Sequence, residues 1–90
     1  MKRKETVTKI IDGDTIETST RKKPVRIQGI DTPEKGQPGY SEAKKALSEL
    51  IKNEKVTVEP VATDDYGRVV AKVKKGNRLL STLMKDHQKK

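Results

Sequence analysis

One stretch of helical period interrupts a chain otherwise patterned for short strands. Ala43, Ala46, Leu47, Leu50 and Ile51 recur at i, i+3, i+4, i+7 and i+8, an apolar stripe along one side of a helix. Ser41 reads as its N-cap and Asn53 as its stop. Ahead of the stripe, residues 5–11, 14–18 and 25–30 read as strands rich in Val, Ile and Thr. In the third, Val25, Ile27 and Gly29 fall on one face and Arg26, Gln28 and Ile30 on the other. Asp12-Gly13 between the first two predicts a hairpin turn with left-handed central residues. Behind the stripe, residues 56–61 and 68–73 read as strands, and Leu80, Leu83 and Met84 predict a short helix over 79–85. Residues 86–90 are polar and read as a frayed end. Three strands, a helix, two strands and a helical stub is the element order of a five-stranded OB-fold barrel, a β-barrel with helices of the α+β class. We read residues 1–90 as one such domain.

The core available to this fold is thin. Among 90 residues there are two tyrosines and no phenylalanine, tryptophan or cysteine, so it must be built from Val, Ile, Leu and Ala. A core that small supplies roughly 3–5 kcal/mol of net stability. Disulfides and Cys–His zinc fingers are excluded by the missing cysteine. The net charge of +8 favours a polyanionic partner. No apolar run approaches the ~20 residues of a membrane span. The basic start Met1-Lys2-Arg3-Lys4 is not followed by the apolar segment of a signal peptide. Both a cytoplasmic protein and a secreted one whose signal has been removed fit that start.

Three segments concentrate acids and arginines at strand ends. In Asp12-Gly13-Asp14-Thr15, Asp14 opens a strand, where aspartate is disfavoured unless it has work to do there. Asp31-Thr32-Pro33-Glu34 ends a strand and offers hard oxygen donors: a carboxylate from Asp31, a main-chain carbonyl from Thr32, and in Glu34 a carboxylate able to reach a metal-bound water. Asp64-Asp65-Tyr66-Gly67-Arg68 leads into the last strand. Arg26 and Arg68 carry planar guanidinium groups that bind phosphate bidentately, a geometry lysine does not reproduce. Taken singly, each segment is most simply a turn and each arginine a surface charge.

Together, in this order and spacing, they resemble the staphylococcal nuclease (thermonuclease-like) family from about Thr8 to about Leu83. That resemblance implies an OB-fold and a calcium-dependent nuclease acting on DNA, RNA or both, leaving 3′-phosphate ends. By position it implies that Asp14 and Asp31 give carboxylates to Ca2+ and Thr32 its main-chain carbonyl. It implies that Glu34 is the general base on the attacking water, and that Arg26 and Arg68 grip the phosphate being cleaved and stabilise its transition state. Tyr66 matches a tyrosine that hydrogen-bonds nucleotide phosphate, and Asp12 and Asp64 match acids beside the site.

The sequence departs from the family in three places. Asp65 stands where the best-known member has a phosphate-contacting lysine, which weakens the expectation of tight substrate binding. The 35–40 loop is shorter than in that member. The match ends near Leu83, ahead of the tyrosines and third helix with which the family usually continues, so we expect apolar surface left uncovered and self-association as one way to cover it. His87, the lone histidine, reads as a tail residue. The other function considered is a non-catalytic OB-fold module that binds nucleic acid or protein. Two tyrosines make a poor stacking platform for it, and it has no need of Asp14, Asp31, Glu34, Arg26 and Arg68 together.

Overall fold

The strands close on themselves rather than forming an open sheet. A computed structural model describes residues 3–87. β1 (Arg3–Asp12), β2 (Thr15–Thr18) and β3 (Val25–Ile27) form an antiparallel meander, and α1 (Tyr40–Ile51) leads to β4 (Lys55–Thr63) and β5 (Val69–Lys75). A two-residue β6 (Arg78–Leu79), a single-turn α2 (Leu80–Leu83) and a 3-10 turn (Lys85–His87) complete the described residues. β4 pairs with β1, β5 with β4, and β3 returns to lie parallel to β5, with Val25 opposite Val69 and Ile27 opposite Ala71. That last pairing closes a five-stranded barrel of the OB type, with β6 added along β5.

Bulges supply the curvature. In β1 the register slips between Val7 and Lys9 and again between Ile10 and Asp12; in β4 it slips between Pro60 and Ala62. One extra residue on one strand bends it and tightens its twist, as a small barrel requires. Pro60 has no N–H to give the ladder and sits at such a slip, the position a strand proline tolerates. Inside, Val7, Ile16, Val25, Ile27, Val56, Val58, Ala71 and Val73 meet Ala43, Leu47 and Ile51 of α1 with Leu80 and Met84, all buried. The core is aliphatic apart from Met84, as the composition requires.

The structure revises four local expectations. β3 stops at Ile27, because Gly29 takes a left-handed φ of 85° that turns the chain. Ile30, placed opposite Ile27 by strict alternation, is therefore buried with it. The first hairpin has Gly13 and Asp14 at its tip rather than Asp12 and Gly13, since Asp12 still pairs with Thr15. Gly13 is not left-handed; the bulge before Asp12 supplies the twist that a mirror-image turn would have given. Asp14 accordingly lies in the turn and not in β2. Finally, Gly39 and not Ser41 is the N-cap of α1, with φ 91° and no side-chain cap. The helix begins earlier because Tyr40 is anchored through its hydroxyl to β1. α1 ends at Ile51, before Asn53: its C-cap Lys52 is already extended, Asn53 follows in the left-handed conformation at φ 66°, and Lys75 Nζ donates to the orphan Leu50 carbonyl at 2.6 Å. Leu80 and Met84 are buried, and the exposed large apolar side chains among the described residues are Val61, Tyr66 and Leu79. His87 N–H donates to the Met84 carbonyl, and residues 88–90 lie outside the described residues.

Candidate active site

Three separate stretches of chain meet at one end of the barrel. The β1–β2 turn brings Asp12, Asp14 and Thr15, the crossover from β3 to α1 brings Asp31 to Lys35, and the β4–β5 turn brings Tyr66 and Arg68. With Arg26 from β3 they line a single cleft of about 590 Å³. Of the nine residues singled out from sequence, eight line it: Asp12, Asp14, Arg26, Asp31, Thr32, Glu34, Tyr66 and Arg68. The ninth, Asp64, lies behind Arg68 and helps line a smaller hollow with Arg26 and Gln28.

The two arginines are held by different means. Arg26 donates through Nη1 to the Ile27 carbonyl at 2.6 Å, and its Nη2 stands 3.5 Å from Asp14 Oδ2. Arg68 donates through Nε to Asp64 Oδ2 at 2.6 Å and through Nη1 to Thr15 Oγ1 at 3.3 Å, and its guanidinium lies 5.3 Å from the Tyr66 ring centre. Asp64 Oδ1 in turn accepts the backbone N–H of Tyr66 and of Arg68, so one carboxylate shapes the turn and aims the arginine. Desolvation pushes the Asp64 carboxyl up, but the hydrogen bonds from Arg68 and Tyr66 and the Arg68 charge outweigh it and hold it below the usual carboxylate range.

Thr15 was not singled out, yet it is the hinge of this network. Its hydroxyl donates to Asp14 Oδ1 at 2.9 Å and accepts from Arg68. Tyr40 is the other residue missed. Its hydroxyl lies 2.8 Å from Asp12 Oδ1 and 3.3 Å from the Ile11 carbonyl. The Asp12 hydrogen bond, then burial, then the Asp12 and Asp14 charges raise the Tyr40 phenol above its ordinary value, which keeps it a donor. As one of only two aromatics in the chain, placed at a helix start, Tyr40 offered a signal.

Gly13 sets the floor. A Cβ there would stand 2.6 Å from Thr32 Oγ1 and 2.9 Å from Ala43 Cβ, so only glycine lets the β1–β2 turn meet the Asp31–Glu34 segment. Thr32 is buried against it, and its hydroxyl finds no hydrogen-bond partner among the described residues. Glu34 stays exposed, its N–H accepted by Gln37 Oε1 at 2.9 Å. Gly13→Ala should therefore destabilise the fold by about 1–3 kcal/mol, the usual range for overpacking, and displace Asp14 and Thr32 as well. Chemical denaturation checks the first effect and loss of ligand binding by the folded fraction the second.

The relationship to known proteins agrees with this geometry. A family model described as "Staphylococcal nuclease homologue" matches residues 24–86. The chain belongs to the staphylococcal nuclease family. Its relatives include "Protein ParB" of Escherichia coli, 42% identical over 69 residues, which is 74% of this chain and 39% of that protein. "Micrococcal nuclease" of Shigella flexneri is 36% identical over 69 residues, 74% of this chain and 40% of the relative. An "Uncharacterized endonuclease" of Haemophilus influenzae is 39% identical over 70 residues, again 74% of this chain and 39% of the relative. The chain thus spans about two-fifths of the length of these relatives.

Among the described residues, no three of His, Cys, Asp and Glu stand close enough to hold a metal ion by themselves. The acidic side chains lining the cleft are Asp12, Asp14, Asp31 and Glu34, hard oxygen groups of a kind that suits a hard cation completed by water rather than a soft metal in a closed cage.

Proposed function

We propose that this protein is a nuclease that hydrolyses phosphodiester bonds of DNA or RNA in a calcium-dependent reaction. The observation that carries this reading is the convergence of Asp14, Asp31, Thr32 and Glu34 with Arg26 and Arg68 around one open cleft. The names of the relatives support it: two are called a nuclease or an endonuclease.

In this reading Asp14, Asp31 and the Thr32 carbonyl would hold the cation. Calcium bound there would polarise a phosphoryl oxygen and make nearby water easier to deprotonate. Glu34 is the base that accepts the proton of the attacking water as its oxygen bonds to phosphorus and the P–O bond to the leaving oxygen breaks. Its exposure in the cleft leaves its carboxylate accessible to that water. Arg26 and Arg68 grip the oxygens on which charge gathers in the transition state. Both are already oriented by Asp14, Asp64, Thr15 and the Ile27 carbonyl, so little reorganisation is needed when the charge develops. Tyr66, whose ring lies beside the Arg68 guanidinium, would in this reading hydrogen-bond a neighbouring phosphate.

Calcium titration followed by calorimetry tests the metal half of this reading. Heat of binding should be measurable for the wild type and lost in Asp31→Asn, with the circular dichroism spectrum unchanged. Equal binding by both proteins would move the cation elsewhere. Cleavage of single-stranded DNA should stop when EGTA is added and resume with excess calcium.

A further inference from the structure

A groove of about 560 Å³ lies between α1 and β1. It uses the polar face of α1. Ser41, Lys44, Lys45, Ser48, Glu49 and Lys52 recur at three- and four-residue intervals and so share one side of the helix. Lys9 of β1 faces them across the groove. Four lysines thus oppose one glutamate, and none of the four takes part in an ion pair among the described residues.

Tyr40 ties the groove to residues of the cleft. It lines the groove, its hydroxyl is tied to Asp12 and Ile11 of the cleft, and Lys44 Nζ lies 6.0 Å from its ring centre. A lysine-rich helix face is ordinarily only a solvated surface. Here it is concave, faced by a fourth lysine on another element, short of counter-charge, and joined through the Tyr40 hydroxyl to Asp12 and Ile11 of the cleft.

We propose that this groove binds the phosphate backbone of the same nucleic-acid strand that enters the cleft, several nucleotides away from the bond being cleaved. The inference rests on the nuclease reading for the position of the strand, but not for its binding. From Lys44 to Lys52 the helix rises about 12 Å. At about 3.4 Å per nucleotide in a stacked strand, that spans three to four phosphates. Lysine suits the task, since a flexible point charge can follow a backbone without reading its sequence.

The test compares wild type with Lys9→Gln Lys45→Gln Lys52→Gln, which spares Lys44 and its ring contact. A charge-matched control, Lys72→Gln Lys74→Gln Lys85→Gln, alters lysines outside the groove. Binding of a labelled 20-nucleotide single-stranded DNA is followed by anisotropy in EGTA across a salt series. The groove variant should lose about 2 from the slope of log affinity against log salt, at about 0.7 for each phosphate contact removed, while the control keeps nearly the wild-type slope. With calcium, the groove variant should show a raised KM on the 20-mer and unchanged kcat/KM on a dinucleotide. An unchanged slope, an equal loss in the control, or no binding by the wild type at low salt overturns the proposal. A wild type that binds the 20-mer with the expected slope difference but cuts nothing overturns the nuclease reading and leaves the groove standing.

Discussion

Arg68→Lys should lower turnover on single-stranded DNA by about 10²–10³, nearly as far as Arg68→Ala, because losing one preorganised donor to developing charge costs that much. Arg68 depends on three neighbours at once. Asp64 Oδ2 takes its Nε, Thr15 Oγ1 takes its Nη1, and the plane of its guanidinium lies over Tyr66. A lysine ammonium has neither the plane nor the fork to satisfy these and still present two parallel N–H groups to a phosphate. The effect should fall on kcat more than on KM, since lysine retains the charge that attracts the substrate. Single-turnover kinetics on a folded variant checks this, and near-normal turnover by Arg68→Lys would remove Arg68 from its proposed role.

Glu5→Ala should destabilise the protein by about 2–3 kcal/mol, somewhat below the ~3–5 kcal/mol typical when one partner of a buried ion pair is removed. The reduction reflects Arg21, whose side chain is 23% exposed and can regain water, whereas that of Glu5 is 1% exposed. Glu5, on β1, is buried. It accepts the Thr18 hydroxyl at 2.6 Å and both carboxylate oxygens meet Arg21 Nε, at 3.0 and 2.9 Å. In a domain whose net stability is roughly 3–5 kcal/mol, that loss leaves a large unfolded fraction.

The same group predicts acid sensitivity. Burial raises the Glu5 carboxyl, but hydrogen bonds from Thr18, Arg21 and Thr20 and the Arg21 charge prevail and hold it below its ordinary value of 4.5. A carboxyl depressed on folding stabilises the native state above its unfolded pKa, and that contribution fades as pH falls through the folded value. The melting temperature should therefore drop as pH falls below about 4.5, with a shallower drop in Glu5→Gln. Asp64, also depressed, contributes in the same direction.

The parts of this molecule legible in its sequence are those written in local period or in short, ordered motifs. The stripe from Ala43 to Ile51 announces α1, and alternation around Val56 and Val58 announces β4. The acids and arginines of the cleft were legible because the three segments that carry them occur together in family order. What stayed hidden depends on residues far apart in the chain. Ile30 turns inward because of the backbone at Gly29, against its own alternation. Gly13 is read as a turn residue until Thr32 and Ala43 are seen beside it. Tyr40 and Asp12 meet across 28 residues, and Glu5, a charged residue in a strand that reads as half-exposed, turns out to be buried with Thr18 and Arg21. Closure of the barrel by β3 against β5 also joins segments with no local signal for one another.

The central claim is that the cleft cuts phosphodiester bonds with its own acids and arginines. Hydrolysis of single-stranded DNA in calcium, by wild type and by Glu34→Ala Arg68→Ala, tests it most directly. The account predicts cleavage by the wild type and none detectable by the double variant, with both proteins folded and both binding calcium. Equal cleavage by the two, or none by a folded, calcium-binding wild type, would contradict it.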